Sequence, residues 1–523
     1  MSVQSSIRRR RLLLLLAPLF AFVALASWAI ASPVGASPDD DYHLNSIWCG
    51  QGERAGLCES ASAPETEKVP GALEQSRCYS FLSDQSASCQ GAGFSGADNP
   101  LVASQRGNFD GNYPPVFYAT MSVFASDNIS LSVIAMRLFN AFLFVALMTA
   151  ACFALPRRLR VPLVWGTAIC VTPLALFLVP STNPSSWAIL SGSLVWVSLV
   201  GYFESSGWRR ITLGALSAVG VLIGAGARAD SAIYAGLAIV VAIVLTMRFS
   251  KIYLLRAILP VALLVLSVAM YFSTNQAGAA MTGLVNGNPI EGTPESIFSR
   301  IFLNVPTLWS GILGSGDLGW LDTPLPSVVG FLVLGVFGGL VFRGLRHVDW
   351  RKGVALVGTF FSLWALPTYI LFVTKAEVGT QVQPRYILPI LTILAGVALL
   401  SPLSARFSLS LAQRIVLGAS LAIAQSVALH YNLRRYVTGN DIVAFNLDDG
   451  IEWWWGLPIS PMGVWVLGTL AFSGLLVALL TMFDRPLSSG AHPESDGRGL
   501  DQRREPMAVP DQAPLDSSTP RSA

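Results

Sequence analysis

From Leu12 to Phe483 the chain is cut into apolar runs of about 20 residues, each closed by a short basic or polar segment. That is the length a helix needs to cross the hydrocarbon of a bilayer. Inside hydrocarbon each backbone polar group must find its partner within the protein, which favours helices over open strands. The pattern predicts an all-α, polytopic integral membrane protein. Composition agrees: 53% of residues are hydrophobic and only 12% charged, about half the charge of an average soluble chain. The formal net charge of +3 is spread in small clusters between the apolar runs. It leaves no basic footprint for nucleic acid and reads as topology signal.

Taken in order, the runs predict about 12 spans. Arg8 to Arg11 precede an apolar run over 12–31. The small residues Ala29-Ile30-Ala31 and Val34-Gly35-Ala36 resemble signal cleavage sites, but the run approaches full spanning length and favours an uncleaved first span. Residues 1–11 are then a cytoplasmic N-terminus and 32–128 a first outer loop. A Pro114-Pro115 turn near its end predicts a short helix lying on the surface. The second span, near 129–155, meets Arg157, Arg158 and Arg160. The third reaches about Val179 and turns at Asn183-Pro184. Later spans alternate between basic ends (Arg209 and Arg210; Arg248 and Lys251; Arg343 to Lys352; Arg406 and Arg414) and outer turns. The seventh opens into a second outer loop at 274–325, the tenth starts at Tyr386, and the eleventh finishes near His430. A third outer loop, 431–461, carries Trp453-Trp454-Trp455, an expected aromatic belt. Basic clusters at every even-numbered exit put both ends in the cytoplasm. Residues 12–483 form the transmembrane domain, and 484–523, rich in Pro, Ser and charge, read as a disordered cytoplasmic tail.

Cys49, Cys58, Cys78 and Cys89 share the first outer loop, whereas Cys152 and Cys170 sit in apolar runs. Four cysteines allow three pairings, of which Cys49 with Cys58 and Cys78 with Cys89 closes the shortest loops. Disulfides persist outside the cytosol, so the clustering predicts a loop that faces out.

Unusual polar residues gather at the same outer loops. Asp39, Asp40, Asp41 and His43 follow the first span; Gly319-Trp320-Leu321-Asp322 closes the second loop; Arg385-Tyr386 opens the tenth span. Arg137 lies about eight residues into the second span, and Arg228 with Asp230 marks a later outer turn. Each has a plain alternative: a solvated acidic loop for Asp39 to Asp41, snorkelling for Arg137, a helix-end ion pair for Arg228 and Asp230, an interface anchor for Arg385 and Tyr386. Taken together they place carboxylates and guanidinium groups at one face of the membrane. Transfer of a sugar from a lipid phosphate needs both. A carboxylate removes the proton of the attacking hydroxyl, and cations hold the departing phosphate, a task suited to the planar fork of arginine.

The acidic cluster with His43, the Pro-Pro-aromatic stretch before the second span, Asn183-Pro184, Gly319-Trp320-Leu321-Asp322-Thr323-Pro324-Leu325-Pro326 and Pro384-Arg385-Tyr386-Ile387-Leu388-Pro389 resemble a bacterial family of predicted multi-span membrane proteins. That family is catalogued as a domain of unknown function and is similar in layout to the GT-C glycosyltransferases. The resemblance covers about residues 12–483. It implies a sugar taken from a polyprenyl-phosphate donor, with the catalytic carboxylate in the first outer loop; the expected reaction is an inverting transfer to an envelope glycan, lipid or protein acceptor on the outer face of the bacterial plasma membrane. Asp39 or Asp40 becomes the base, with His43 beside it. The family pattern Pro-Asp-Glu-x-x-His reads Pro38-Asp39-Asp40-Asp41-Tyr42-His43 here, with Asp for Glu, which leaves open which carboxylate acts. Arg385 becomes the lead contact for the donor phosphate, with Tyr386, Arg137, Arg228, Asp230, Asn183, Trp320 and Asp322 as further substrate contacts. Some superfamily members use a metal, and Asp39 with Asp41 are the expected ligands for Mg²⁺ or Mn²⁺. The competing expectation is a transporter, flippase or scaffold for lipid-linked sugars, whose polar residues belong near the bilayer midplane.

Overall fold

The computed structural model describes residues 3–96, 99–275, 290–379, 382–402 and 408–483. Ten helices among them are long and apolar enough to cross a membrane. They include α1 (Val3–Ile30), α5 (Ile129–Ala154), α8 (Ser185–Glu204), α9 (Gly207–Ala227), α10 (Ala229–Thr246) and α11 (Lys251–Phe272). The others are α14 (Ser327–Gly344), α15 (Trp350–Thr374), α17 (Leu411–Val437) and α18 (Pro461–Leu480). Two of the twelve expected spans depart from that form. The third is split into α6 (Arg157–Val171) and α7 (Leu174–Leu178). Thr172 is extended, as a residue before proline tends to be, and Pro173 offers no N–H to carry a helix through. The tenth is α16 (Pro384–Leu399), only 16 residues long. At 1.5 Å per residue it spans about 24 Å, short of hydrocarbon thickness. Protein rather than lipid surrounds it, since 13 of its residues are buried.

α8 is the axis of the bundle: 94% of its most apolar window is buried, and α6, α9, α10 and α16 pack around it. α11 is the opposite case, with 22% buried, as expected of a helix facing lipid. Small residues let the inner helices approach. A methyl group on Gly166 of α6 would lie 2.6 Å from Gly396 Cα of α16, and one on Gly192 of α8 would lie 2.8 Å from Pro389.

Several expected boundaries shift. α1 extends back to Val3, while its apolar spanning stretch is Leu12–Ile30. α17 runs to Val437, two turns beyond His430, because Asn432, Leu433, Arg435 and Tyr436 are buried against the first loop and the 318–323 turn. The second loop is partly helical, with α12 (Pro294–Asn304) and α13 (Pro306–Ser310). Residues 276–289 of that loop, Arg406 and the tail at 484–523 lie outside the described residues.

The segment between α1 and α5 is a small folded cap rather than an open loop. It holds α2 (Asp40–Trp48), α3 (Gly71–Glu74), α4 (Pro115–Met121) and an antiparallel sheet of β1 (Glu59–Ser60), β2 (Glu67–Pro70) and β3 (Leu101–Ser104), in the order β1-β2-β3. Disulfides Cys49–Cys58 and Cys78–Cys89 close it, which is the short-loop pairing. α4, expected on the surface, is instead packed inward: Phe117, Tyr118 and Met121 are buried with Leu44, Ile47 and Trp48 of α2. The tryptophan run is also not a free belt. Trp455 Nε1 donates to Ile30 O and Trp454 Nε1 to Ile459 O.

Candidate active site

The N-terminus of α2 meets the N-terminus of α16 at the end of the bundle covered by the cap. Asp39 is the N-cap of α2, with φ 62° and ψ 17°. Asp is one of the few non-glycine residues that adopt this left-handed region, at a cost of about 1–2 kcal/mol. An N-cap aspartate ordinarily accepts a backbone N–H from the first turn, but Asp39 makes no such bond. Its carboxylate turns to Arg385, whose Nη2 donates to Oδ2 at 2.6 Å, while Arg106 Nη2 lies 3.7 Å from Oδ1. The Asp39 side chain is 40% exposed and that of Arg385 4%. Burial alone would raise the Asp39 carboxyl, but the guanidinium groups of Arg385, Arg106 and Arg228 hold it below the ordinary value.

Asp40 and Asp41 diverge from it. Asp40 is fully buried and accepts the Ser37 N–H and the Thr182 hydroxyl, each at 3.0 Å. Burial lifts its carboxyl to about 7, against the opposing pull of Arg137 and those two bonds. Asp41 accepts Arg106 Nε at 2.9 Å and lies 3.4 Å from Arg77 Nε. The expectation that Asp39 and Asp41 share a divalent metal does not fit this arrangement. Both carboxylates are neutralised by guanidinium groups, and no group of three His, Cys, Asp or Glu side chains suited to a metal forms among the described residues.

His43, one turn after Asp39 on the same face of α2, is buried. Its Nδ1 lies 2.9 Å from Tyr118 Oη, and its ring meets Tyr42 and Tyr113 edge-on at 5.6 and 5.5 Å. Burial pushes His43 down to about 3; Asp39 opposes, and Arg228, Arg385 and Arg106 reinforce. The imidazole is therefore neutral at physiological pH, a hydrogen-bonding strut rather than a cation.

Arginine and tyrosine line the rest. Arg385 Nη2 also donates to Tyr386 Oη at 2.9 Å. The Tyr386 ring lies 4.7 Å from both Arg385 and Arg228, and Arg228 also faces Tyr113 at 5.8 Å. Asp230 holds Arg228 in a two-pronged pair, both bonds 2.8 Å, with Ser185 Oγ behind it at 3.4 Å. Asp39, His43, Arg228, Asp230, Arg385 and Tyr386 thus form one cluster. A cleft lined by Pro38, Phe177, Leu178, Leu321, Gln383 and Arg385 borders it.

The other expected contacts lie elsewhere. Arg137 donates to Ala29 O, Ser32 O and Pro33 O; it ties off the orphan carbonyls at the C-terminus of α1, neither snorkelling nor reaching the cluster. Asn183 donates to Pro38 O at 2.8 Å and braces the Asp39 turn from behind. Trp320 is buried, with its Nε1 donated to Gly35 O at 2.8 Å. Asp322 accepts Arg435 Nη2 at 2.9 Å and the Phe81 N–H at 3.1 Å. These are braces between distant loops, not open contacts.

The chain matches the family model described as a predicted membrane protein (DUF2142) over residues 22–394. The chain belongs to that family. The matched stretch takes in Asp39, His43, Arg228 and Arg385, so the cluster lies within the family's shared part. No curated protein matches the chain, and no solved structure does.

Residues that sequence reasoning passed over are Arg106, Thr182, Tyr113 and Tyr118 at the cluster and Arg435 at the brace. One signal was available. Arg77, Arg106, Arg228, Arg385, Arg434 and Arg435 all fall on the side that the charge bias assigns to the outside. Basic residues that break the bias need a local carboxylate or ligand, and most of these have one.

Proposed function

We propose that this protein is an inverting membrane glycosyltransferase that moves a sugar from a polyprenyl-phosphate carrier to a cell-envelope acceptor, on the extracytoplasmic face of a bacterial plasma membrane. The observation that carries the reading is the Asp39 carboxylate: open to solvent, unspent on its own helix, held in a left-handed turn, and set among Arg385, Arg228 and Arg106. Non-glycine residues in such conformations cluster at functional sites. Asp40 is enclosed and fully bonded, which favours Asp39 as the base.

In this mechanism Asp39 accepts the proton of the acceptor hydroxyl while the hydroxyl oxygen attacks the anomeric carbon. The bond from that carbon to the phosphate oxygen breaks on the opposite face, and the electron pair leaves with the lipid phosphate. Arg385 exchanges part of its carboxylate contact for a phosphate oxygen, and Arg228, fixed by Asp230, adds a second positive charge where negative charge builds. The Tyr386 ring lies 4.7 Å from both guanidinium carbons and its hydroxyl accepts an Arg385 N–H, so one aromatic side chain holds both arginines near Asp39. No metal enters any step.

The test uses purified full-length chain in detergent, a set of polyprenyl-phosphate sugars carrying a radiolabel, and a crude envelope acceptor. We expect transfer without any membrane gradient, lost on Asp39→Asn while the protein still inserts and melts normally. Full transfer by an Asp39→Asn/Asp40→Asn double variant overturns the assignment. Gradient-dependent movement of the lipid-linked sugar with no transfer is the signature of the transporter alternative.

A further inference from the structure

A separate cavity of about 280 Å³ opens at the C-terminal end of α2, away from Arg385. Its walls include Ser46, Glu53, Glu67, Asn108, Phe109 and Tyr118, closed on one side by the Cys49–Cys58 disulfide. Ser46 is seven residues beyond Asp39, which places the cavity on the order of 10 Å along α2 from the proposed base. Tyr118 joins the two places. It is among the residues that line the cavity, and its hydroxyl lies 2.9 Å from His43 Nδ1 beside Asp39.

The wall chemistry is selective. Glu67 Oε2 is buried with no hydrogen-bond partner, an uncommon state that calls for a donor. Glu53 stands exposed at the rim and accepts the Ser60 hydroxyl. Ser46 and Asn108 are already committed: Ser46 Oγ donates to Tyr42 O and accepts the Asn108 N–H, while Asn108 Nδ2 donates to Tyr113 O. The cavity therefore has two carboxylate residues and no cation among its lining residues, beside the aromatic residues Phe109 and Tyr118. Two carboxylates repel phosphate and uronate. A ring with C–H bonds on one face and hydroxyl donors around its edge satisfies both features, since carboxylates accept and aromatic faces take apolar surface.

We propose that this cavity is a subsite for a neutral sugar unit of the acceptor, so that the acceptor is an extended glycan that reaches past Asp39 along α2. Its role as an acceptor subsite rests on the transferase reading; the binding of carbohydrate does not. The test is saturation-transfer NMR on the full chain in nanodiscs. The probes are four tetrasaccharides, built of neutral hexose, neutral pentose, N-acetylhexosamine or uronic acid, and a lysine-rich peptide. We expect saturation of a neutral chain, weakened about tenfold by Phe109→Ala and by Glu67→Gln and unchanged by Asp39→Asn. Should Phe109→Ala or Glu67→Gln fail to fold, Glu53→Gln at the exposed rim carries the same test, with a smaller loss expected. Failure to hold any neutral chain, preference for the uronate or the peptide, or indifference to these variants overturns the proposal. Loss of transfer in Asp39→Asn without any neutral chain held sinks the subsite alone. A neutral chain held without Asp39-dependent transfer sinks the transferase reading alone.

Discussion

Two aspartate–arginine pairs sit at the same end of this bundle, and they differ in one respect. Asp39–Arg385 and Asp322–Arg435 join residues far apart in sequence through bonds of 2.6 and 2.9 Å. In the first the carboxylate is 40% exposed; in the second the two side chains are 4% and 0% exposed. The closed pair also takes up the Phe81 N–H and, through Arg435, Gln85 O and Tyr79 O. It ties the cap, the 318–323 turn and α17 together and is shut away from solvent. The open pair keeps a carboxylate edge free and has two further arginines nearby. The same chemistry serves as a brace where water is excluded and as a candidate reaction centre where it is admitted.

Asp39→Asn is expected to lower sugar transfer by about 10²–10⁴-fold, the range for loss of a general base. Its stability cost should be about 1–2 kcal/mol, less than for a fully enclosed pair, because Arg385 is buried but solvent reaches the Asp39 side, the Asn side-chain oxygen still accepts, and Asn also tolerates the left-handed turn. Transfer assays and thermal melts on one preparation separate the two effects. Asp322→Ala should do the reverse in stability, destabilising by about 3–5 kcal/mol because it strands a buried guanidinium; denaturant unfolding in detergent measures it.

Asp40 predicts a pH signature. Its folded-state pKa, about 7, lies above the ordinary value of 3.8, so folding favours its protonated form. Stability from this group is fully present below about pH 4, falls as pH rises towards 7, and is flat above. The slope of that fall is at most about 1.4 kcal/mol for each step of one in pH. Asp40→Asn should remove the slope in melting curves recorded across this window. Asp39 has the opposite sign. Its depressed pKa adds stability above the ordinary carboxylate range that is lost only as pH falls through the lowered value.

Gly319→Ala probes the brace without touching its charges. Gly319 has φ +61°, and a methyl group there would lie 2.6 Å from Tyr436 Oη and 2.9 Å from Asp322 Oδ1. A loss of about 1–3 kcal/mol is expected from overpacking, read from thermal melts. Smallest is Arg106→Ala. Its side chain is half exposed in its pairs with Asp39 and Asp41, so a stability change of about 0.2–1 kcal/mol is expected, with any kinetic effect in KM rather than kcat.

Much of the fold was legible because membrane spans are written locally. The apolar runs, their basic ends and the four cysteines of the cap are all visible without tertiary information. The split at Pro173 and the short α16 were less so. Hydropathy reports that a segment is apolar, not whether lipid or protein surrounds it, and α16 is surrounded by protein. The site was legible only as an inventory of residue types. Asp39, Asp40 and Asp41 are chemically alike and adjacent, yet one is open, one enclosed and one held by Arg106. Trp320 and Asp322 appeared as substrate contacts for the same reason that Arg385 did, as polar or aromatic residues at an outer loop.

The amino-acid order alone determined that the chain is a mostly helical, polytopic membrane protein with a cysteine-bearing first loop, since helix length and apolar runs depend on neighbours a few residues away; the small sheet that folds that loop into a cap was not legible. Which carboxylate faces the arginines was decided by tertiary packing. Asp39 and Arg385 are 346 residues apart, and their meeting depends on how α2, α8 and α16 pack, with solvent access then dividing a candidate reaction centre from a brace.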